Sequence, residues 1–454
     1  MIRSCTVALT VAFLACSPGV VAEAADARAE ASTVVADVRT LLTEARGASA
    51  LLCSLAADAI GQRGWGNHVG APSSPLPPVR LDGDDSREVA PAAADLALLL
   101  EGLASPDRCV RAVAVSVLGR SRAEEVTTAL STRLRDGDAA VREVAALGLG
   151  ITEPTTAVAP LIGVLRDASA GVRANAAWAL GRIEDGRALR PLLSAVTDQD
   201  STVREAAVGA VGQLDSASAV ATLLRVLRDD RAASVRRTAA WALGNIEAET
   251  AARDIADVMA REPDAGVREM CAWALGNIES QAGVAGLRIS AQRDSSARVR
   301  EQAAWALGNI EDAGSAEVLG TVVARDTDKR VRSTAAWALG NIGTRTAPEG
   351  LLRALEDSDE GLRLKSAWSL GEIRDRAAVP ALRSAIKREQ NARVRKALLR
   401  ALVETGERNE EMLTELLESG DAELRAAAVR GLAGGRVTDP WPWPQPRPRP
   451  FPRD

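Results

Sequence analysis

The dipeptide Val-Arg or Leu-Arg recurs at Val110, Val141, Val172, Val203, Val235, Val267, Val299, Val331, Leu362, Val394 and Leu424, in nearly equal steps of about 31 residues. A period of this length, kept over eleven copies, means like units stacked on their neighbours and not a chain wrapped around one central core. Each copy carries two stretches with apolar residues at helical spacing, such as Ala157–Asp167 and Gly171–Asp185, so each is read as a hairpin of two helices. Three residues before the Val or Leu stands Asp, Ser or Asn in ten copies of eleven, Ala232 being the exception. These are N-cap residues, whose side-chain oxygen satisfies a free N–H of the first turn. With an Arg following every Val or Leu, they suggest a ladder of aspartate–arginine pairs joining adjacent hairpins.

Within the second helix the segment AAWALGNIE stands at Ala239–Glu247 and again at Ala303–Glu311, with near copies at Cys271 and Ala335. On a wheel of about 100° per residue with Val235 at zero, Ala239, Ala242, Leu243 and Ile246 fall on one arc, the face packed on the first helix. Gly244 costs about 1 kcal/mol in helix propensity, which close approach of a neighbouring helix explains. Trp241 and Asn245 fall at about 240° and 280°, far from that arc. The wheel therefore predicts that the tryptophans lie on an exposed inner face and are not core filling. The candidate ligand-binding residues are Trp178, Trp241, Asn245, Trp273, Asn277, Trp305, Asn309, Trp337, Asn341 and Trp368. Glu269 and Glu301, four residues before Trp273 and Trp305, join them and favour a cationic ligand. Five successive tryptophans from Trp241 to Trp368, at roughly 8–10 Å per packed helix, suit an extended peptide or glycan strand better than a small molecule.

Residues 91–436, with their DxxVRxxAAxALGxIG pattern, resemble HEAT repeats of the short, bilin-lyase-like type. That resemblance implies an all-α fold, an α-solenoid of about eleven antiparallel helix hairpins. More narrowly, the WALGNI segments resemble those of importin-alpha, an armadillo protein. There Asn amides bond the backbone of an extended peptide and Trp planes sandwich its basic side chains. The resemblance implies the same binding mode at Trp241/Asn245, Trp273/Asn277, Trp305/Asn309 and Trp337/Asn341. The alternative it carries is an enzyme-accessory or bilin-lyase-like role. The di-iron centre of HEAT-type deoxyhypusine hydroxylases needs several His-Glu pairs, and this chain has only His68. No Ser/His/Asp set, CxxC pair, HExxH or phosphate loop appears. A protein scaffold with no cofactor and no enzymatic activity is expected.

The flanks differ from the array. Residues 1–24 read as an export signal, with Arg3, the apolar Thr6–Ala15 and small residues at Ala22 and Ala24, implying a periplasmic or secreted protein. The apolar run is too short to span a bilayer, and lipid anchoring at Cys16 is the less favoured variant. Residues 25–69 are a helical segment or cap, and 70–90 a Pro/Gly/Asp-rich linker. Cys53, Cys109 and Cys271 sit in apolar helical contexts and are read as reduced, buried small hydrophobes. In the tail 437–454, proline alternates from Pro440 to Pro452, which favours polyproline II. That segment is itself basic, extended and aromatic, and is a candidate ligand for the chain's own inner face. A net charge of −5 argues against a nucleic-acid partner.

Overall fold

The computed structural model describes residues 38–48, 92–119, 121–406 and six scattered positions between 414 and 429. The expected export signal, the linker 70–90 and the tail 437–454 lie outside the described residues, as does nearly all of the eleventh copy. Ten hairpins follow one another, from Ala93–Leu103 with Arg108–Leu118 to Val379–Arg388 with Ala392–Glu404, and the described residues contain no strand. The repeat is therefore an all-α solenoid.

Seven second helices are capped as the sequence predicts; Asp200, for example, accepts from the N–H of Thr202 and Val203 at 2.8 and 3.3 Å. Ser169 and Ser296 make no side-chain cap, which corrects the reading there. Asp421 lies outside the described residues. At the other end, most second helices close through a residue in the left-handed region that is not glycine, including Glu184, Asp215, Glu247, Glu279 and Glu311. Most first helices then open through a short 3-10 turn.

The arginine ladder exists, but its acid is not the capping residue. Arg268 Nε and Nη2 donate to Asp294 Oδ2 and Oδ1 at 2.7 and 2.9 Å, while its Nη1 donates to the carbonyls of Glu262 and Pro263 at 3.0 and 2.9 Å. Asp294 also accepts the N–H of Ser296 at 2.9 Å. One guanidinium thus ties the turn of its own hairpin to the turn of the next. The same pairing joins Arg142–Asp167, Arg173–Asp198, Arg204–Asp230, Arg236–Glu262, Arg300–Asp326, Arg332–Asp357 and Arg363–Glu389. The partner acid stands two residues before the cap, where its second oxygen can reach the turn. A residue at the cap spends its oxygen on the helix.

Leu180, Leu243, Leu275 and Leu307 are fully buried between the two helices of each hairpin. Second helices of successive copies lie in close contact along their length, whereas first helices meet little, so the second helices form the inner face of a curved array. The helix Val38–Ala45 packs on the first described hairpin. Its Leu41, Leu42 and Ala45 pack on Cys109, Val110 and Val113, and Gly47 N–H donates to Asp107 Oδ2 at 2.8 Å. The rest of 25–69 lies outside the described residues.

Cys109 is disulfide-bonded, to a cysteine outside the described residues, which corrects the reading of this thiol as reduced. Its apolar helical context gave no sign of the bond. Cys271 is free and buried as expected, and burial pushes its thiol well above the ordinary range. Cys53 lies outside the described residues.

Candidate binding face

The tryptophans do not stand free on the inner face. Trp241, Trp305 and Trp337 are only 4–5% exposed; Trp178, Trp273 and Trp368 are half-buried. Each ring lies against a glycine in the second helix of the preceding hairpin. A methyl group built on Gly212, Gly244, Gly276, Gly308 or Gly340 would stand 2.5–3.0 Å from the Cζ3 of Trp241, Trp273, Trp305, Trp337 or Trp368. Gly150 receives Trp178 in the same way. The expectation of an exposed aromatic stripe is corrected, and the reason is geometric. The wheel places a residue relative to the first helix alone, whereas the tryptophan's side of the helix leans onto the neighbouring second helix. Glycine opens a slot there, and the indole fills it.

The asparagines show the same economy. Asn245 Nδ2 donates to the carbonyl of Gly212 at 3.1 Å and Asn309 Nδ2 to that of Gly276 at 3.4 Å. These amides serve the preceding helix and are not held open for a ligand backbone. Asn277 and Asn341 are half-buried in the equivalent places. In the fourth copy Gly209 and Gln213 replace the pair, and a methyl group on Gly181 would meet Gln213 Oε1 and Ala210 instead of an indole.

The polar chemistry of the face gathers one turn nearer the helix N-termini. Thr238 Oγ1 approaches Glu205 Oε1 at 3.5 Å and Thr334 Oγ1 approaches Glu301 Oε1 at 3.4 Å, each 33 residues back. Gln302 holds the equivalent sequence position, 33 residues after Glu269. Arg330 Nε lies 3.6 Å from Glu301 Oε2. Burial raises the carboxyl of Glu269 above the usual carboxylate range, and the charge of Glu301 adds to it; Arg298, Arg237 and Arg330 offset part of the effect. Burial likewise raises Glu301, against the pull of Arg330, Thr334 and Lys365. Lys365, shifted down by burial, faces the same carboxylate.

Two donors here lack partners. Gln302, 2% exposed, and Trp305, 5% exposed, leave Nε2 and Nε1 with no hydrogen bond among the described residues. Both atoms are themselves buried, so they belong to the packing between helices and not to the open face; a buried donor left unsatisfied costs about 1–3 kcal/mol. Glu269 and Glu301 were legible as candidates from their place before the tryptophans. Lys365 was not, since nothing in the repeat marks it. Among the described residues no group of His, Cys, Asp and Glu could hold a metal ion, and no helix is long and apolar enough to cross a membrane.

Comparison with known proteins places this geometry. The family model described as HEAT repeats matches six overlapping stretches that together run from residue 96 to 433. No curated protein matches the chain. Among solved structures, Kap95p bound to RanGDP shares 14% identity with a TM-score of 0.54, over 76% of this chain and 56% of that one. Kap95 in complex with Nup1 gives 14% and 0.52, over 76% and 57%. This chain thus spans a little over half of the length of Kap95. The CpcE–CpcF phycocyanin lyase of Nostoc sp. PCC7120 is similar at 22% identity and a TM-score of 0.33, over 52% of this chain and 91% of that one. At these identities the likeness to Kap95 concerns the fold alone.

Proposed function

Since the chain belongs to the HEAT-repeat family, we propose that it is a scaffold that acts by binding and not by catalysis, holding an extended protein segment along its inner face. Curved arrays of this kind offer long concave surfaces to their partners, and Kap95, which shares the fold, is seen with RanGDP and with Nup1. The observation that carries the reading is the pair of half-buried carboxylates Glu269 and Glu301 on neighbouring second helices of the inner face. An extended segment with basic side chains can pair with both at once. The tryptophans act behind this surface by fixing the spacing of the helices that carry it.

Export to an oxidising compartment belongs to the same proposal. The disulfide at Cys109 supports it, because such bonds persist in secreted and periplasmic proteins and are rare in reducing cytosol. The test of the binding reading is selection of a displayed random-peptide library on the full chain. Enrichment of extended sequences bearing Arg or Lys, lost on Glu269→Gln with Glu301→Gln, is expected. Binders without basic residues, or unaffected by that double change, would contradict it.

A further inference from the structure

We propose that Arg330 and Lys365 are the chain's own stand-ins for a partner's cation at Glu301, so that binding on the inner face is an exchange in which an incoming guanidinium displaces Arg330. This rests on the reading of that face as a binding surface. It adds what occupies the site before the partner arrives, and it selects arginine over lysine in the partner. Counted from the Val or Leu of its own copy at about 100° per residue, Glu301 falls at about 200° and Arg330 at about 260°, away from the arc packed on the first helix. Carboxylate and guanidinium therefore meet on the inner side, from the seventh and eighth hairpins. Arg298 stands toward Glu269 in the same register one copy earlier.

The array holds its arginines in two different ways. Arg268 and Arg300 each set Nε and Nη2 on the two oxygens of one aspartate at 2.7 and 2.9 Å, and their side chains are 14% and 12% exposed. Arg330 brings Nε to 3.6 Å from Glu301 Oε2, too long for a hydrogen bond, and its side chain is 71% exposed against 20% for the carboxylate. An exposed pair of that kind adds little to stability. The ladder pairs belong to the fold, whereas Arg330 can leave without disturbing it. Thr334 Oγ1 approaches the other carboxylate oxygen at 3.4 Å, so neither oxygen of Glu301 is taken by a short charge-assisted bond.

Lys365 completes the arrangement from the ninth hairpin. It attracts Glu301 across the eighth, where the small Ser333 holds the place that Glu269 and Glu301 hold in their own copies. Its ammonium is half-buried and makes no direct ion pair among the described residues. An ammonium is a point charge and cannot form the two parallel bonds of a guanidinium. An incoming arginine can form them, in the geometry that the ladder repeats along the array, and this difference lets it prevail over both resident cations. A lysine in the same place offers Glu301 no more than Lys365 already does.

The experiment titrates a hexapeptide amide of alternating Arg and Ser into the full chain at about 0.15 M salt, with the matching Lys and Ser peptide alongside. Arg330→Met with Lys365→Met should tighten the arginine peptide about tenfold, because two resident cations no longer compete for Glu301. Arg330→Met alone, on a side chain that the fold barely uses, should give about threefold. Arg166→Met makes the same change of net charge on an exposed residue of the third hairpin, well beyond the Debye length of about 8 Å, and should leave affinity unchanged. The lysine peptide should bind the wild-type chain about fivefold more weakly than the arginine peptide. In a Glu301→Gln chain the gain from both methionines should vanish. No gain from them, an equal gain from Arg166→Met, or equal affinity for the two peptides would overturn the proposal. If the arginine peptide binds and is weakened by Glu269→Gln with Glu301→Gln, yet the methionine changes do nothing, the exchange fails and the binding reading survives. If it binds neither the wild-type chain nor the double methionine chain, at unchanged helical circular dichroism, the binding reading fails and takes the exchange with it.

Discussion

The indole of Trp305 lies against Gly276 of the preceding hairpin, so closely that a methyl group on the glycine would stand 2.6 Å from Cζ3 and 3.0 Å from the Ala306 main chain. Gly276→Ala should therefore lower stability by about 1–3 kcal/mol through overpacking, in spite of the roughly 1 kcal/mol that alanine returns in helix propensity. Trp305→Ala should cost more, about 3–5 kcal/mol, as a large buried ring leaves a cavity. Gly163, with nothing within 4 Å of its built methyl group, is the control, and Gly163→Ala should stabilise by about 0.5–1 kcal/mol. Urea midpoints of the three variants check the set.

Arg268 bridges two turns through four hydrogen bonds, and its partner Asp294 is mostly buried. Arg268→Ala should cost about 3 kcal/mol, because a largely buried carboxylate loses its counter-charge. Arg268→Lys should recover little, since an ammonium cannot make the two parallel bonds and also reach the turn carbonyls. Thermal unfolding followed by circular dichroism distinguishes the two.

These two contacts show what the sequence makes legible. The helices, most of their caps and the stacking were readable because each rests on a local pattern that returns in every copy at the same period. The close approach at Gly244 was readable too, from its helix cost. What filled the slot was not. Trp273 reaches Gly244 from the following hairpin, and a wheel drawn for one helix has no second helix in it. The ladder was misassigned for a similar reason. Asp264 and Glu262 are both acids beside the same turn, and only the fold decides that Asp264 caps its helix while Glu262 meets Arg236.

Stability should pass through a maximum in mildly acidic solution. The ladder acids Asp167, Asp198, Asp230, Glu262, Asp294, Asp326, Asp357 and Glu389 all have depressed carboxyls in the folded chain. Their contribution is complete above the ordinary carboxylate range and is lost as pH falls below it. Glu269, Glu301 and Glu372 are raised, so the folded chain binds their protons first and gains stability as pH falls through their titration toward that range. Melting temperature against pH should rise on mild acidification and collapse below about pH 4. Glu269→Gln with Glu301→Gln should flatten the rise and leave the collapse.

Reduction should loosen the contact between Val38–Ala45 and the first described hairpin before the rest of the array. Cys109 lies beneath Leu41, Leu42 and Ala45, and loss of a disulfide in such a place costs about 2–5 kcal/mol. Under dithiothreitol, amide exchange should accelerate first in Val38–Ala45 and Arg108–Leu118, with the helices from residue 201 onward unaffected. Uniform acceleration along the array would count against a local role.

The central claim is that Glu269 and Glu301 bind a cationic extended segment on a face whose tryptophans are packing elements. Isothermal titration of one library-selected basic peptide against the wild-type chain and the Glu269→Gln, Glu301→Gln variant tests it most directly. The account predicts a Kd at least about tenfold weaker for the variant at unchanged melting cooperativity, with wild-type affinity falling as salt rises. Equal affinity for both chains, or wild-type affinity indifferent to salt, would contradict it.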